Sequence, residues 1–392
     1  MVNTPRRAWQ AFCALLIAIA TPQANAGTDT VYFAGVAFTG DAASASQAFP
    51  HLKSLIDGPG ASTINAAVRK QLAAHPVPMQ VSFDALGSIH DGRQSTALAL
   101  AIDRETTSVE RIGGLYKLRL EVTAQALFFD FKEKQVLGGM PIVLDYVDVR
   151  QTAPTDADID AGFRGMLLDP DAPTSLPGEF VAALGRSEVP QAASRHLRVT
   201  AVTLADKARE YMTNAAPNVD QDAIRGAIAQ EFGKYLGANQ HIAILPYRSN
   251  AAIGSSMAAR FVEGEAYDLK IPEADYEIAL DIAGFKKVEQ GRSNVNAIYI
   301  YGSFVDITVK EPLSGKVYFQ QRVKQGATKD VPVTQDNTDD WAATWESTLL
   351  LFNNFTQAMS SPKAAWVQSA LPEGAASRQQ LSSLADLIKA CR

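Results

Sequence analysis

The residues able to do chemistry are few and scattered. Five histidines occur, His51, His75, His90, His196 and His241, and no two stand at the short spacing that turns two imidazoles onto one metal. The two cysteines, Cys13 and Cys391, lie at opposite ends of the chain and form no Cys-x-x-Cys pair. Asp156-x-Asp158-x-Asp160 opens like a calcium loop. Ala161 then stands where the sharp turn requires glycine, and Leu167 where a bidentate glutamate is required, so the run is predicted to head a helix instead. Ser360-x-x-Lys363 has the spacing of a serine–lysine pair, but Pro362 breaks the turn on which the two would meet. No Gly-x-Ser-x-Gly elbow and no glycine-rich phosphate loop appears. The sequence therefore assigns no catalytic residue, no metal ligand and no cofactor, and His241, at the head of an apolar run, is read as structural.

Contact chemistry is better represented. Tyr299, Tyr301 and Tyr318 fall on alternating segments where they share a face opposite Ile298, Ile300, Gly302 and Phe304. As an exposed stripe they are candidate contact residues for a protein or glycan partner; under covering helices the same stripe becomes core.

The elements that would position these residues come as two similar stretches. Residues 97–133 and 277–311 each hold a short alternating strand, a polar turn and a long alternating strand ending in Lys-Glu. Each continues into a return strand, Val136–Tyr146 or Lys316–Lys324, and then into an acidic helix start. Upstream, Val31–Phe38 and His241–Tyr247 read as buried strands, followed by helices at Ile64–Ala74 and, shorter, Met257–Val262. A proline-rich zone from Pro154 to Pro190 reads as linker, with a short strand at Leu197–Val202 beyond it. A helix from about Asp222 ends at Gly237. The pattern predicts an α+β or α/β protein of two related domains. Each would be a mixed or antiparallel sheet with a three-strand meander and flanking helices. The expected division is 27–190 and 191–372, followed by an amphipathic C-terminal helix at 373–392.

Residues 1–26 carry an address. Arg6 and Arg7 precede the apolar run 11–20, and Ala24-Asn25-Ala26 supplies a cleavage site, predicting a mature chain from Gly27. Cys13 sits inside the apolar run, where it cannot become an acylated first residue. The apolar run is too short for a spanning helix, and no other segment is long enough, so no transmembrane segment is expected after cleavage. Removing two arginines leaves 34 basic against 42 acidic residues, a net charge of −8 that disfavours nucleic acid as a partner. With 47% hydrophobic residues and one remaining thiol, the exported chain must be stabilised by burial and not by an internal disulfide.

Ile244-Leu245-Pro246-Tyr247, a run ending in Leu-Pro plus an aromatic and followed by a small-residue loop, resembles bacterial envelope-assembly domains over residues 220–360. These are the Tol-system N-terminal domain and the periplasmic domains of curli-secretion and flagellar-ring proteins. The resemblance implies a non-catalytic module that docks on an envelope assembly. The expectation is an exported, periplasmic binding or assembly factor acting through contacts with an envelope protein or glycan. The alternatives are a secreted destination, an envelope hydrolase with a non-local site at the domain junction, and a periplasmic solute-binding protein.

Overall fold

The computed structural model describes residues 30–39, 49–56, 59–86, 95–112, 114–169, 174–191, 194–217, 219–247, 256–261, 266–333, 338–361, 365–372 and 375–391. The segment 1–26 lies outside them, as do Cys13, His90 and Lys363.

Strand β1 (Thr30–Thr39) leads through helices α1 (Leu52–Ile56) and α2 (Pro59–Ala74) and short strand β2 (Gln80–Ser82) to a meander. The meander is β3 (Thr96–Ile112), β4 (Leu115–Asp130) and β5 (Gln135–Arg150), and α3 (Asp156–Leu168) and α4 (Leu176–Leu184) follow. Strand β6 (Leu197–Leu204) then precedes α5 (Asp206–Ala215), α6 (Gln221–Gln240), β7 (Ser256–Phe261) and β8 (Ala266–Lys270). A second meander, β9 (Tyr276–Arg292), β10 (Asn296–Lys310) and β11 (Val317–Pro332), is closed by α7 (Asp340–Ser360), α8 (Ala365–Ala370) and α9 (Ala375–Ala390).

Two sheets result, with flanking helices. The first runs β2-β1-β3-β4-β5-β8-β7, and β7 pairs back onto β1 through Ala37↔Phe261 and Thr39↔Ala259, closing a ring. The ring explains the run Ala97-Leu98-Ala99-Leu100-Ala101-Ile102. The alanines point inward with Ala37, and their small side chains leave the interior of the closed sheet to Leu127, Phe129, Met257 and Phe261 from the strands around it. Leu98, Leu100 and Ile102 point outward into the core under α1–α4. The second sheet runs β11-β10-β9-β6 and packs its inner face on α5–α9. Both meanders begin on a parallel neighbour, β1 beside β3 and β6 beside β9.

Several expectations are corrected. His241–Tyr247 is not a strand. It makes two isolated bridges, Ile244 to Gly139 of the first sheet and Leu245 to Arg198 of the second. His241 caps α6 in the left-handed conformation and Pro246 lacks an amide donor, so the run is too short for a ladder and instead staples the two sheets. The strand that occupies the place of β1 in the second sheet is β6. The expected helix at Met257–Val262 is strand β7, drawn into the ring by Met257 and Ala259. The proline-rich zone holds two packed helices: α3 begins in a Thr155/Asp158 capping box, and Pro177 sits in the first turn of α4, where no amide is lost. Helix α6 continues past Gly237 to Gln240.

Candidate functional site

Helix α6 lies between the two sheets, which gives it two buried faces. Ile224, Ile228, Phe232 and Leu236 enter the core of the second sheet. Gly226, Gln230, Gly233 and Gly237 face the first sheet, where a Cβ on Gly233 would meet Ile244 Cδ1 at 2.7 Å and Pro141 Cγ at 3.1 Å. Glycine is what lets this helix approach so closely.

Beside that contact the first sheet becomes charged. Read along one face of β4, Phe129 and Leu127 lie inside the ring, Gln125 and Thr123 at its mouth, and Glu121, Arg119 and Lys117 beyond it. Gln125 Nε2 donates to Asp103 at 3.0 Å, as does Thr39 Oγ1 at 2.7 Å. Arg119 bridges Glu121 and Asp145, both at 2.7 Å, and its guanidinium lies 5.9 Å from the ring centre of Trp345 on α7. From α6, Lys234 pairs with Glu231 at 3.0 Å. Lys117 is ion-paired with Asp339 at the start of α7. Glu121 is only 6% exposed and Glu231 only 1%. Burial, with Asp145 and Glu231 nearby, pushes the Glu121 carboxyl up to about 7 against the pull of Arg119. Burial likewise raises Glu231. Lys234 is raised despite burial because the Glu231 carboxylate holds its proton.

A second junction feature is a cleft of about 300 Å³ that gathers Arg195, His196, His241 and Cys391, residues that look unrelated in the sequence. Their bonds are structural. His241 Nδ1 donates to the Arg186 carbonyl at 2.8 Å, and Arg195 bonds the Tyr276 hydroxyl at 3.1 Å. Burial lowers the His196 imidazole against the opposing charge of Asp275. The Cys391 thiol is pushed up to about 12, chiefly by burial, so at neutral pH it is a protonated thiol and not a thiolate nucleophile. Among the described residues, no group of three His, Cys, Asp or Glu side chains is placed to hold a metal ion. Of the other histidines, His51 donates to Asp160 at 2.7 Å and stacks on Phe163, and His75 caps its own helix at Gln71.

The three tyrosines are not brought together as a stripe. Tyr301 is 1% exposed, and its hydroxyl donates to Asp340 at 2.6 Å. Lys287 also bonds Asp340, at 2.7 Å, and lies 4.5 Å from the centre of the half-buried Tyr299 ring. Burial raises the Asp340 carboxyl, but hydrogen bonds from Lys287, Thr338 and Tyr301 win and hold it below the ordinary carboxylate range. Tyr318 stands near the far end of the sheet, about ten residues or roughly 30 Å along the strands, edge-on to Tyr276. The face that carries Tyr301 continues as Ser303, Val305, Ile307 and Val309 and is the buried one, under α7. Ile298, Ile300 and Phe304 lie on the open face, where Phe304 covers Gly302 and Ile300 covers Gly326.

Most of the large apolar side chains that stay exposed lie at the outer ends of the two meanders, while Phe83, Leu350 and, at the opposite turn of the second meander, Leu313 and Val317 lie elsewhere. At the outer end of the first meander they are Val109, Leu115, Tyr146, Val147 and Val149; at that of the second, Val288, Val295 and Ile298. Sequence reading missed both this grouping and the junction charges, because charged residues that alternate with Leu and Val look like a solvated strand face. The signal available was Gly226, Gly233 and Gly237 on one face of a helix.

Among the described residues no helix is long and apolar enough to cross a membrane. No protein-family profile matches the chain, and no curated protein does. Among solved structures it is similar to a hypothetical protein of Chlamydia trachomatis, at 11% identity and a TM-score of 0.27 over 45% of this chain and 99% of that one. A minor lipoprotein of Acinetobacter baumannii aligns at 9% identity and 0.21, over 46% and 98%. A Xanthomonas campestris protein of the DUF330 family aligns at 13% and 0.21, over 46% and 92%. Likenesses of this size assign no family.

Proposed function

We propose that the chain is an exported, non-catalytic binding or assembly factor of the bacterial envelope that acts through protein–protein contacts. The observation that carries the reading is the concentration of exposed Val, Leu, Ile and Tyr side chains at the outer ends of both meanders. Clustered apolar surface on a folded chain marks a contact site more often than scattered apolar residues do. The stapled, glycine-packed junction supports it, since it fixes the two outer ends on one scaffold. Export to the periplasm is supported by the cleavable pattern at 1–26. The shared order β1-β3-β4-β5 and β6-β9-β10-β11 supports descent of the two halves from one duplicated unit.

A photo-reactive residue placed at Val109 or at Val295, in the native cell, tests the reading. Adducts to a defined envelope protein are expected from these positions and not from Lys389 on the exposed side of α9. No adduct from either outer end sinks it. N-terminal sequencing of the mature chain is expected to begin at Gly27.

A further inference from the structure

Strand β5 is paired on one side only along its outer half. Gly139 turns both backbone groups away from β4 and exchanges hydrogen bonds of 2.7 and 2.9 Å with Ile244. Strand alternation then turns the backbone of residues 141, 143, 145, 147 and 149 the same way. Pro141, which has no amide to offer, fits this phase and closes the inner end of the edge. Strand β8 reaches β5 only at Gln135. From Asp145 to Val149 no described backbone or side chain receives the outward groups, so three donors and three acceptors stand in a row.

The flanks of this edge are apolar and open. Val147 is 54% exposed and Val149 56%, on the side facing α7; Tyr146 lies on the other, against α3. Arg150 bonds Asp158 of α3 at 2.7 Å, and Lys117 is paired to Asp339 of α7, so the layers on both sides are anchored. The other long edge, β11, is treated differently. It carries Lys324 and Lys329 on its length, and its Gln320 amide is taken by Gln380 at 3.1 Å. Lysines and occupied amides are how sheets refuse further strands, and outer β5 has neither. At the inner end of the edge Asp145 shares the Arg119 guanidinium with Glu121, Lys234 is held by Glu231, and Arg104 stands farther off beside Asp220.

Building on the binding reading above, we propose that the outer edge of β5, Asp145–Val149, receives an extended segment of a partner protein as an added strand. The segment places a lysine or arginine at Asp145 and β-branched side chains beside Val147 and Val149. Main-chain hydrogen bonds hold it, and the valines and the Asp145 carboxylate, which shares its one guanidinium with Glu121, select it.

The test is fluorescence anisotropy of a labelled peptide, one lysine followed by alternating valine and threonine, with the full-length chain. Val147→Pro removes one outward amide and leaves the ladder to β4 intact. Saturable binding to the wild type is expected, weakened about tenfold or more in this variant. Equal affinity for both proteins, or no binding by the wild type, overturns the proposal. If Val147→Pro fails to fold by circular dichroism, Val147→Lys with Val149→Lys keeps the backbone donors, adds β11-type protection, and is expected to lose binding equally. Self-association in sedimentation that is abolished by Val147→Pro would assign the edge to a second copy and overturn the partner segment. Adducts from Val109 and Val295 that persist while the peptide fails to bind leave the binding reading standing and remove the edge. Peptide binding without such adducts does the reverse.

Discussion

Glu121 shows how one residue can be read wrongly from its neighbours in sequence. Between Leu120 and Val122 it has the look of a solvated strand position, yet it is buried at the sheet junction with Arg119, Asp145 and Glu231 around it. Its carboxyl titrates near 7, whereas in the unfolded chain it titrates near the ordinary 4.5. The folded chain therefore holds a proton that the unfolded chain has released across that window, and the stability from this group is lost as pH rises from about 4.5 through 7. Glu231, raised by burial, acts in the same direction. Glu121→Gln should flatten the dependence of melting temperature on pH between 5 and 8 relative to the wild type, in about the window the shift defines, with its largest relative gain at the alkaline end. A variant whose profile stays parallel to the wild type would show that Glu121 does not carry the titration.

At the scale of elements, α6 and the two meanders make opposite demands on sequence. The meanders were legible because a strand buried on one face must alternate, and the alternation survives in Leu118, Leu120 and Val122 and in Val305, Ile307 and Val309. The phase of β10 was not, since Ile300 and Phe304 are apolar but serve to cover glycine gaps on the open face. Helix α6 hides its role differently: buried on two sides, it has no single apolar stripe, and its glycines read as weak helix formers. Their value is spatial. Gly233→Val should cost roughly 1–3 kcal/mol by forcing Pro141 and Ile244 apart, measured by chemical unfolding. Gly165→Ala in α3, where a Cβ meets nothing within 4 Å, should instead gain up to about 1 kcal/mol from helix propensity. Equal effects at the two sites would mean that α6 is not close-packed against the first sheet.

For the whole molecule, the order in which the chain visits its sheets decides how it unfolds. It lays down β1 to β5 in the first sheet, crosses to β6 in the second, and returns with β7 and β8 to close the first ring before completing the second with β9 to β11. The return was illegible because Met257 and the alanines after it favour helix as isolated residues, and only pairing with β1 and β8, with Met257 and Ala259 buried in the ring, selects them as strand. A cut near residue 190 leaves the ring without β7 and β8, and exposes Leu127, Phe129 and Val136 on one fragment and Met257, Phe261 and Leu269 on the other. The bridges at Ile244 and Leu245 and the two-sided burial of α6 add further contacts that both cores share. Cooperativity follows from shared contacts, so the full-length chain should melt in one calorimetric transition whose van't Hoff and calorimetric enthalpies agree. A fragment covering 191–392 should lack a sharp transition and bind hydrophobic dyes, because its β7–β8 hairpin has lost the strands that bury it. Two resolved transitions in the intact chain, or a cooperative melt of that fragment, would show instead that each half carries a complete core and that the shared ring strands contribute little to either.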